Sequence, residues 1–206
     1  WRAGDKASNR PLLEKFAERG YVAISPQYRF CPKETFPAQI HDVKASVRWL
    51  RSHAADYKVD PDRIGAMGFS AGGHLALMLG LTGKSDGLEG EDLPEDAPSS
   101  GVQAVVNYFG PTDLNAADIP MQSRPLVKDF LGVTPYEDPG KAAKASPRTY
   151  ASSEDPPVLT FQGTKDPLVP HSQATLLADA LTAAGVGGRV ELLVGAGHGW
   201  GGADLE

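Results

Sequence analysis

Ser70 lies in Gly68-Phe69-Ser70-Ala71-Gly72, between an apolar run that ends at Phe69 and another that starts at Ala71. A serine between two glycines at such a junction suits a nucleophile. A strand entering and a helix leaving force a tight turn, and only residues without a Cβ are expected to fit at Gly68 and Gly72. The serine Oγ then stands clear at the carboxyl end of a sheet. The helix start offers free N–H groups and a positive dipole end to developing negative charge. The Ala71 N–H, one residue past the serine, is the expected oxyanion donor. A serine N-cap beside a packing glycine is the competing explanation. The strand before Ser70 and the apolar helix after it favour the nucleophile.

A serine hydroxyl at neutral pH needs a base. The chain has five histidines. His41 and His53 fall within a helical pattern and suit structural roles. His74 is one turn beyond Ser70 on the same helix and points along it, which suits packing. His171 opens a helix after Pro170. His198 differs: it sits in Val194-Gly195-Ala196-Gly197-His198-Gly199-Trp200, just past the last apolar run, where a glycine-rich loop can bring an imidazole to the sheet edge. An imidazole base needs an acceptor for its other N–H. Asp166, three residues beyond the run 157–163, fills that role. Asp113, in Phe109-Gly110-Pro111-Thr112-Asp113-Leu114, is the competitor and is better explained as a turn or N-cap aspartate.

These groups need a scaffold. The runs 21–29, 63–69, 102–110, 157–163 and 189–195 are continuously apolar rather than alternating, as in parallel strands covered on both faces. Helical patterns fall between them at 11–19, 37–58, 71–81 and 172–184. In the second, Pro37 suits the first turn, and Ile40, Val43, Val47, Leu50 and Ala54 share a face. Strand–helix alternation predicts an α/β fold with a mostly parallel sheet and helices on both faces. Residues 83–101 are acidic and rich in Gly and Pro, and read as an exposed loop. Residues 111–156 read as short helices and loops, either an insertion over the strand ends or a solvated connector.

Composition narrows the function classes. The 206 residues suit one domain, 1–206, with 41% hydrophobic and 22% charged residues. A formal net charge of −6 disfavours nucleic acid and anionic membranes as partners. No apolar run approaches the roughly 18–20 residues that cross a bilayer. No Cys/His cluster or His-x-x-x-His suggests a metal, and the single Cys31 allows no internal disulfide.

The chain resembles α/β-hydrolase carboxylesterases. Among these it is similar to the bacterial acetylxylan/feruloyl esterase-like group (BD-FAE-type), with kinship to the hormone-sensitive-lipase-like esterases. The resemblance rests on residues 27–51, 60–76, 109–114, 156–177 and 195–200. The order Ser70, Asp166, His198 is that of the fold's nucleophile, acid and base. The resemblance implies hydrolysis of carboxylic esters of short acyl groups, with a small-molecule or carbohydrate-linked substrate and no metal or cofactor. A peptidase or formamidase would use the same three groups, and a non-catalytic hydrolase-like module would not use them.

In the family a His-Gly-rich loop immediately before a tryptophan lends oxyanion donors. That tryptophan matches Trp1. The resemblance therefore implies a fold lacking its first strands, two unpaired inner strand edges, and an impaired oxyanion hole in the chain as it stands. Relatives also often carry His where this chain has Gln162. That position is expected to lie off the triad and to leave the mechanism untouched.

Overall fold

The computed structural model describes residues 1–91 and 93–200. Asp92 and residues 201–206, within the expected loop 83–101 and domain 1–206, lie outside the described residues.

A short 3-10 turn, Lys6–Asn9, leads into α1 (Arg10–Ala17). The helix expected over 37–58 is two helices, α2 (Ala38–Ser52) and α3 (Ala54–Tyr57). The break is at His53, which leaves helical dihedrals while its ring hydrogen-bonds the Trp49 carbonyl at 2.8 Å. The apolar face continues across the break, since Ala54 is buried with Ile40, Val43, Val47 and Leu50. Then follow β1 (Gly65–Phe69), α4 (Ala71–Leu81), β2 (Ala104–Tyr108), α5 (Arg124–Leu131), α6 (Pro139–Lys144), β3 (Val158–Gly163), α7 (Ser172–Ala183) and β4 (Gly188–Leu193).

The four strands form one parallel sheet in the order β1-β2-β3-β4. Each lies within or beside an expected run. The segment 21–29 does not join them. It has no regular structure, and Tyr21, Val22 and Ile24 are exposed. A strand exists only through its ladder, and β1, the edge strand, pairs with β2 alone among the described residues. Arg29 at the end of this segment pairs with Asp42 of α2 at 2.8 Å.

α4 is apolar on almost every side, and Leu75, Ala76, Leu77, Met78, Leu79 and Leu81 are all buried. A helix of that kind needs cover all round. It lies between the sheet and α2, and at Gly80 it comes close enough to the sheet that a Cβ would overlap the Val105 side chain. The sheet face carrying Val105, Val158 and Thr160 is buried; the opposite face, carrying Val106, Tyr108, Leu159 and Phe161, is half-buried.

Residues 83–101 are mostly exposed but anchored at two points. Leu88 and Ser100 are buried. Glu89 bonds both Lys44 Nζ (2.6 Å) and Arg48 Nη1 (2.7 Å), and Lys44 Nζ also donates to the Thr82 carbonyl. Lys44 is fully buried, so a composition that reads as a solvated loop conceals the counter-ion of a core lysine.

Candidate active site

β1 delivers Ser70 and α4 carries the chain away. Ser70 has φ 51° and ψ −116°, a backbone that side-chain-bearing residues rarely adopt, at a cost of about 1–3 kcal/mol. Its N–H donates to the Tyr108 carbonyl at 2.8 Å, and its carbonyl accepts from the His74 N–H at 3.0 Å. The expected crowding is present at Gly68, where a Cβ would overlap the Gly72 carbonyl group. It is absent at Gly72, whose Cβ would meet open space. The tight contact falls one residue later, at Gly73, where a Cβ would collide with the Asn107 side chain. The turn brings the Gly72 backbone itself against Gly68, so the cleared space serves the main chain and not a Gly72 side chain.

His198 comes from the loop after β4 and Asp166 from the loop after β3. His198 Nε2 is 2.9 Å from Ser70 Oγ, and His198 Nδ1 is 2.8 Å from Asp166 Oδ2. A nitrogen facing a carboxylate carries the proton, which leaves Nε2 as an acceptor for the serine hydroxyl. Asp166 Oδ1 accepts the Leu168 and Val169 N–H groups at 2.8 and 2.9 Å. Burial pushes the Asp166 carboxyl up; His198 and these two N–H donors outweigh it and hold the group below its ordinary value. The Phe109 ring stands edge-on to the His198 imidazole, with centroids 4.8 Å apart. Among the described residues the Ala71 N–H takes no acceptor, as the first turn of a helix requires.

Ser70, Ala71 and His198 open into a cleft continuous with solvent. Its far wall is apolar and comes from the segment 111–156, notably Leu114, Ile119, Leu126 and Val127. The same segment holds the loop that carries Asp166, because Ser123 Oγ donates to the Leu168 carbonyl at 2.7 Å and Gln122 donates to the Pro167 carbonyl. Asp113 borders the cleft but is bound elsewhere, accepting from Asn115 N–H and from Arg148 at 2.8 Å. Trp1 forms another wall. Its indole N–H donates to His74 Nδ1 at 3.3 Å, and its ring stacks on Phe130. The Trp1 carbonyl accepts from the N–H of Cys31, which is buried.

His74 is fully buried, and desolvation lowers its pKa to about 4 despite a 2.8 Å bond from Nε2 to the Ala145 carbonyl. It is a packing residue, as expected. His41 lies in α2, His53 at its end and His171 at the N-cap of α7. None of these three lines the cleft.

Sequence reasoning passed over two glutamines. Gln173 is buried, and its Oε1 accepts the Thr112 and Asp113 N–H groups at 2.7 and 2.8 Å, fixing the loop beside the cleft. Gln162, expected off the triad, donates to Asp166 Oδ2 at 3.2 Å. Its even spacing from Val158 and Thr160 on the buried face of β3 was the available signal.

Residues 1–181 match the family profile BD-FAE. The chain belongs to the BD-FAE family. Esterase LipQ of Mycobacterium tuberculosis is 36% identical over 184 residues, covering 88% of this chain and 43% of that protein. A solved bifunctional GH43-CE protein of Bacteroides eggerthii superposes with a TM-score of 0.86 at 32% identity, covering 97% of this chain and 28% of that one. The propionate-bound esterase Est2 of Thermogutta terrifontis superposes with a TM-score of 0.78 at 30% identity, covering 97% and 70%. The fold is that of the α/β-hydrolase esterases. This BD-FAE chain spans about half the length of the curated relatives it matches.

Proposed function

We propose that the protein is a serine hydrolase of carboxylic esters with short acyl groups. The relay of Ser70 Oγ, His198 and Asp166, with links of 2.9 and 2.8 Å, carries the proposal. In this reading His198 Nε2 takes the Ser70 proton as Oγ attacks the ester carbonyl, and Asp166 stabilises the imidazolium and fixes its tautomer. The Ala71 N–H supports the oxyanion. His198 returns the proton to the leaving alcohol, and water repeats the sequence on the acyl-enzyme.

Acetyl esters of plant polysaccharide are the substrates we favour, with feruloyl esters as the bulkier alternative. The apolar far wall suits an uncharged acyl group. Among the described residues the charged side chains Asp113 and Arg2 at the cleft are paired, with Arg148 and Asp129, which favours an uncharged substrate. Propionate bound to the Thermogutta esterase supports a short acyl chain.

The test is fluorophosphonate labelling and hydrolysis of p-nitrophenyl esters of two to eight acyl carbons, beside the matching anilides. Labelling that vanishes in Ser70→Ala, with rates highest on the shortest esters, is the expected result. Labelling that persists in Ser70→Ala rules out Ser70 as the nucleophile. Anilides cleaved faster than esters would make the protein an amidase.

A further inference from the structure

Gln162 has no exposure to solvent and lies at the carboxyl end of β3, four residues before Asp166. Its side-chain nitrogen faces three acceptors, of which the Gly163 carbonyl, at 3.4 Å, is the farthest and the other two are nearer. One is the Val169 carbonyl at 2.8 Å and the other is Asp166 Oδ2 at 3.2 Å. Oδ2 is also the atom that receives His198 Nδ1. The amide can face only one way. Turned over, its oxygen would confront a carboxylate and a carbonyl, both acceptors.

The cost of that orientation is visible. Gln162 Oε1 is buried and has no hydrogen-bond partner among the described residues. Leaving a buried carbonyl unmet is unfavourable, and an apolar side chain would avoid it. The other half of the amide is its pair of N–H donors. Here that half spans the Asp166 loop, with one hydrogen to Asp166 and one to Val169. The Val169 N–H itself donates to Asp166 Oδ1 at 2.9 Å.

We infer that Gln162 is a positioning residue, which aims the Asp166 carboxylate at His198 by donating to Oδ2 and by holding the loop that donates to Oδ1. The inference rests on the proposed roles of Ser70, His198 and Asp166. With Gln162 present, Asp166 Oδ2 has two donors and Oδ1 has two, so rotation about the carboxylate axis breaks bonds on both oxygens. Without it, Oδ2 keeps His198 alone, and the carboxylate is held on that side by one donor instead of two, while Oδ1 keeps the Leu168 and Val169 N–H groups.

The test uses Gln162→Met, which keeps the length and removes the donor, and Gln162→His, which restores a ring N–H. Three quantities are read: kcat, KM, and the low-field proton resonance of the His198 Nδ1–H bond. A lost hydrogen bond to a charged group predicts a fall in kcat of about 10- to 100-fold in Gln162→Met, with KM changed less than about twofold. The resonance shifts upfield and broadens, and Gln162→His recovers most of both. Wild-type kcat with an unmoved resonance in Gln162→Met overturns the inference. So does a fall in kcat with an unmoved resonance and no recovery in Gln162→His, which would leave Gln162 a packing residue. Absence of Ser70 labelling in the wild type counts against the catalytic reading alone, because the resonance reports on Asp166 and His198 without turnover.

Discussion

On the Ser70 side of the cleft, position is set by atoms that leave no room; on the Asp166–His198 side, it is set by hydrogen bonds between loops. Ser70 sits on the strained link between β1 and α4, with Gly68 against the Gly72 backbone and the buried His74 one turn below. Asp166 and His198 belong to two loops after β3 and β4. Their geometry depends on the Leu168 and Val169 N–H groups, on Gln162, and on Ser123 reaching across from the segment 111–156. The first arrangement should fail all at once when volume is added. The second should weaken by degrees as donors are removed.

Gly68→Ala should break the comparison hardest. The new Cβ has only main chain to push against, so Ser70 labelling should vanish and the soluble yield should collapse. Labelling close to wild type would show that the turn yields. Asp166→Asn comes next. It leaves the loop intact but reverses the preferred His198 tautomer, and kcat should fall about 10⁴-fold with near-native thermal stability. A loss below tenfold would hand the acid's role to another group.

His74 tests the floor under the serine. Its folded pKa is lowered to about 4 by burial, below the ordinary value of 6.5, so the unfolded chain takes up its proton first as pH falls. Stability is therefore full above pH 6.5 and declines towards pH 4, by about 3 kcal/mol from this residue. Urea unfolding across that range should show the slope, and His74→Gln should flatten it. An unchanged slope would mean that His74 is charged in the fold or already protected when unfolded.

Ser123→Ala removes one tie on the Asp166 loop. It should cost about 0.5–1.5 kcal/mol in stability and a few-fold in kcat, visible by calorimetry and ester hydrolysis. Gly72→Ala should do least. Its Cβ meets open space in the first turn of α4, so activity should stay within about twofold and stability should rise by up to about 1 kcal/mol. Loss of activity there would place the crowding at both glycines, as the motif alone suggests.

The same contrast explains what could be read without coordinates. The turn at Ser70 is local: strand, glycines and helix follow one another without a break from Gly65 to Leu81, and β1 and α4 fall where the apolar runs put them. Asp166 and His198 could be named because each follows a strand of one parallel sheet. What decides their geometry was hidden, because it is not local in sequence. Ser123 lies 45 residues from the carbonyl it holds, and Gln162 reaches Asp166 only because the loop folds back. Segment 21–29 misled for a related reason. Its composition is that of a strand, but a strand also needs a neighbour, and composition carries no information about neighbours. The Lys44–Glu89 pair shows the reverse case, where acidic residues read as solvated surface and one of them serves a buried cation.

The Cys31 N–H is tied to the Trp1 carbonyl, its thiol is buried, and burial pushes the thiol's pKa up. A maleimide or iodoacetamide can therefore reach it only when the structure around Cys31 opens locally. The chain has no other cysteine. Its alkylation half-life is thus a built-in clock for how often that region opens, readable by mass spectrometry. A substrate that rests against Trp1 should slow the clock in proportion to its occupancy.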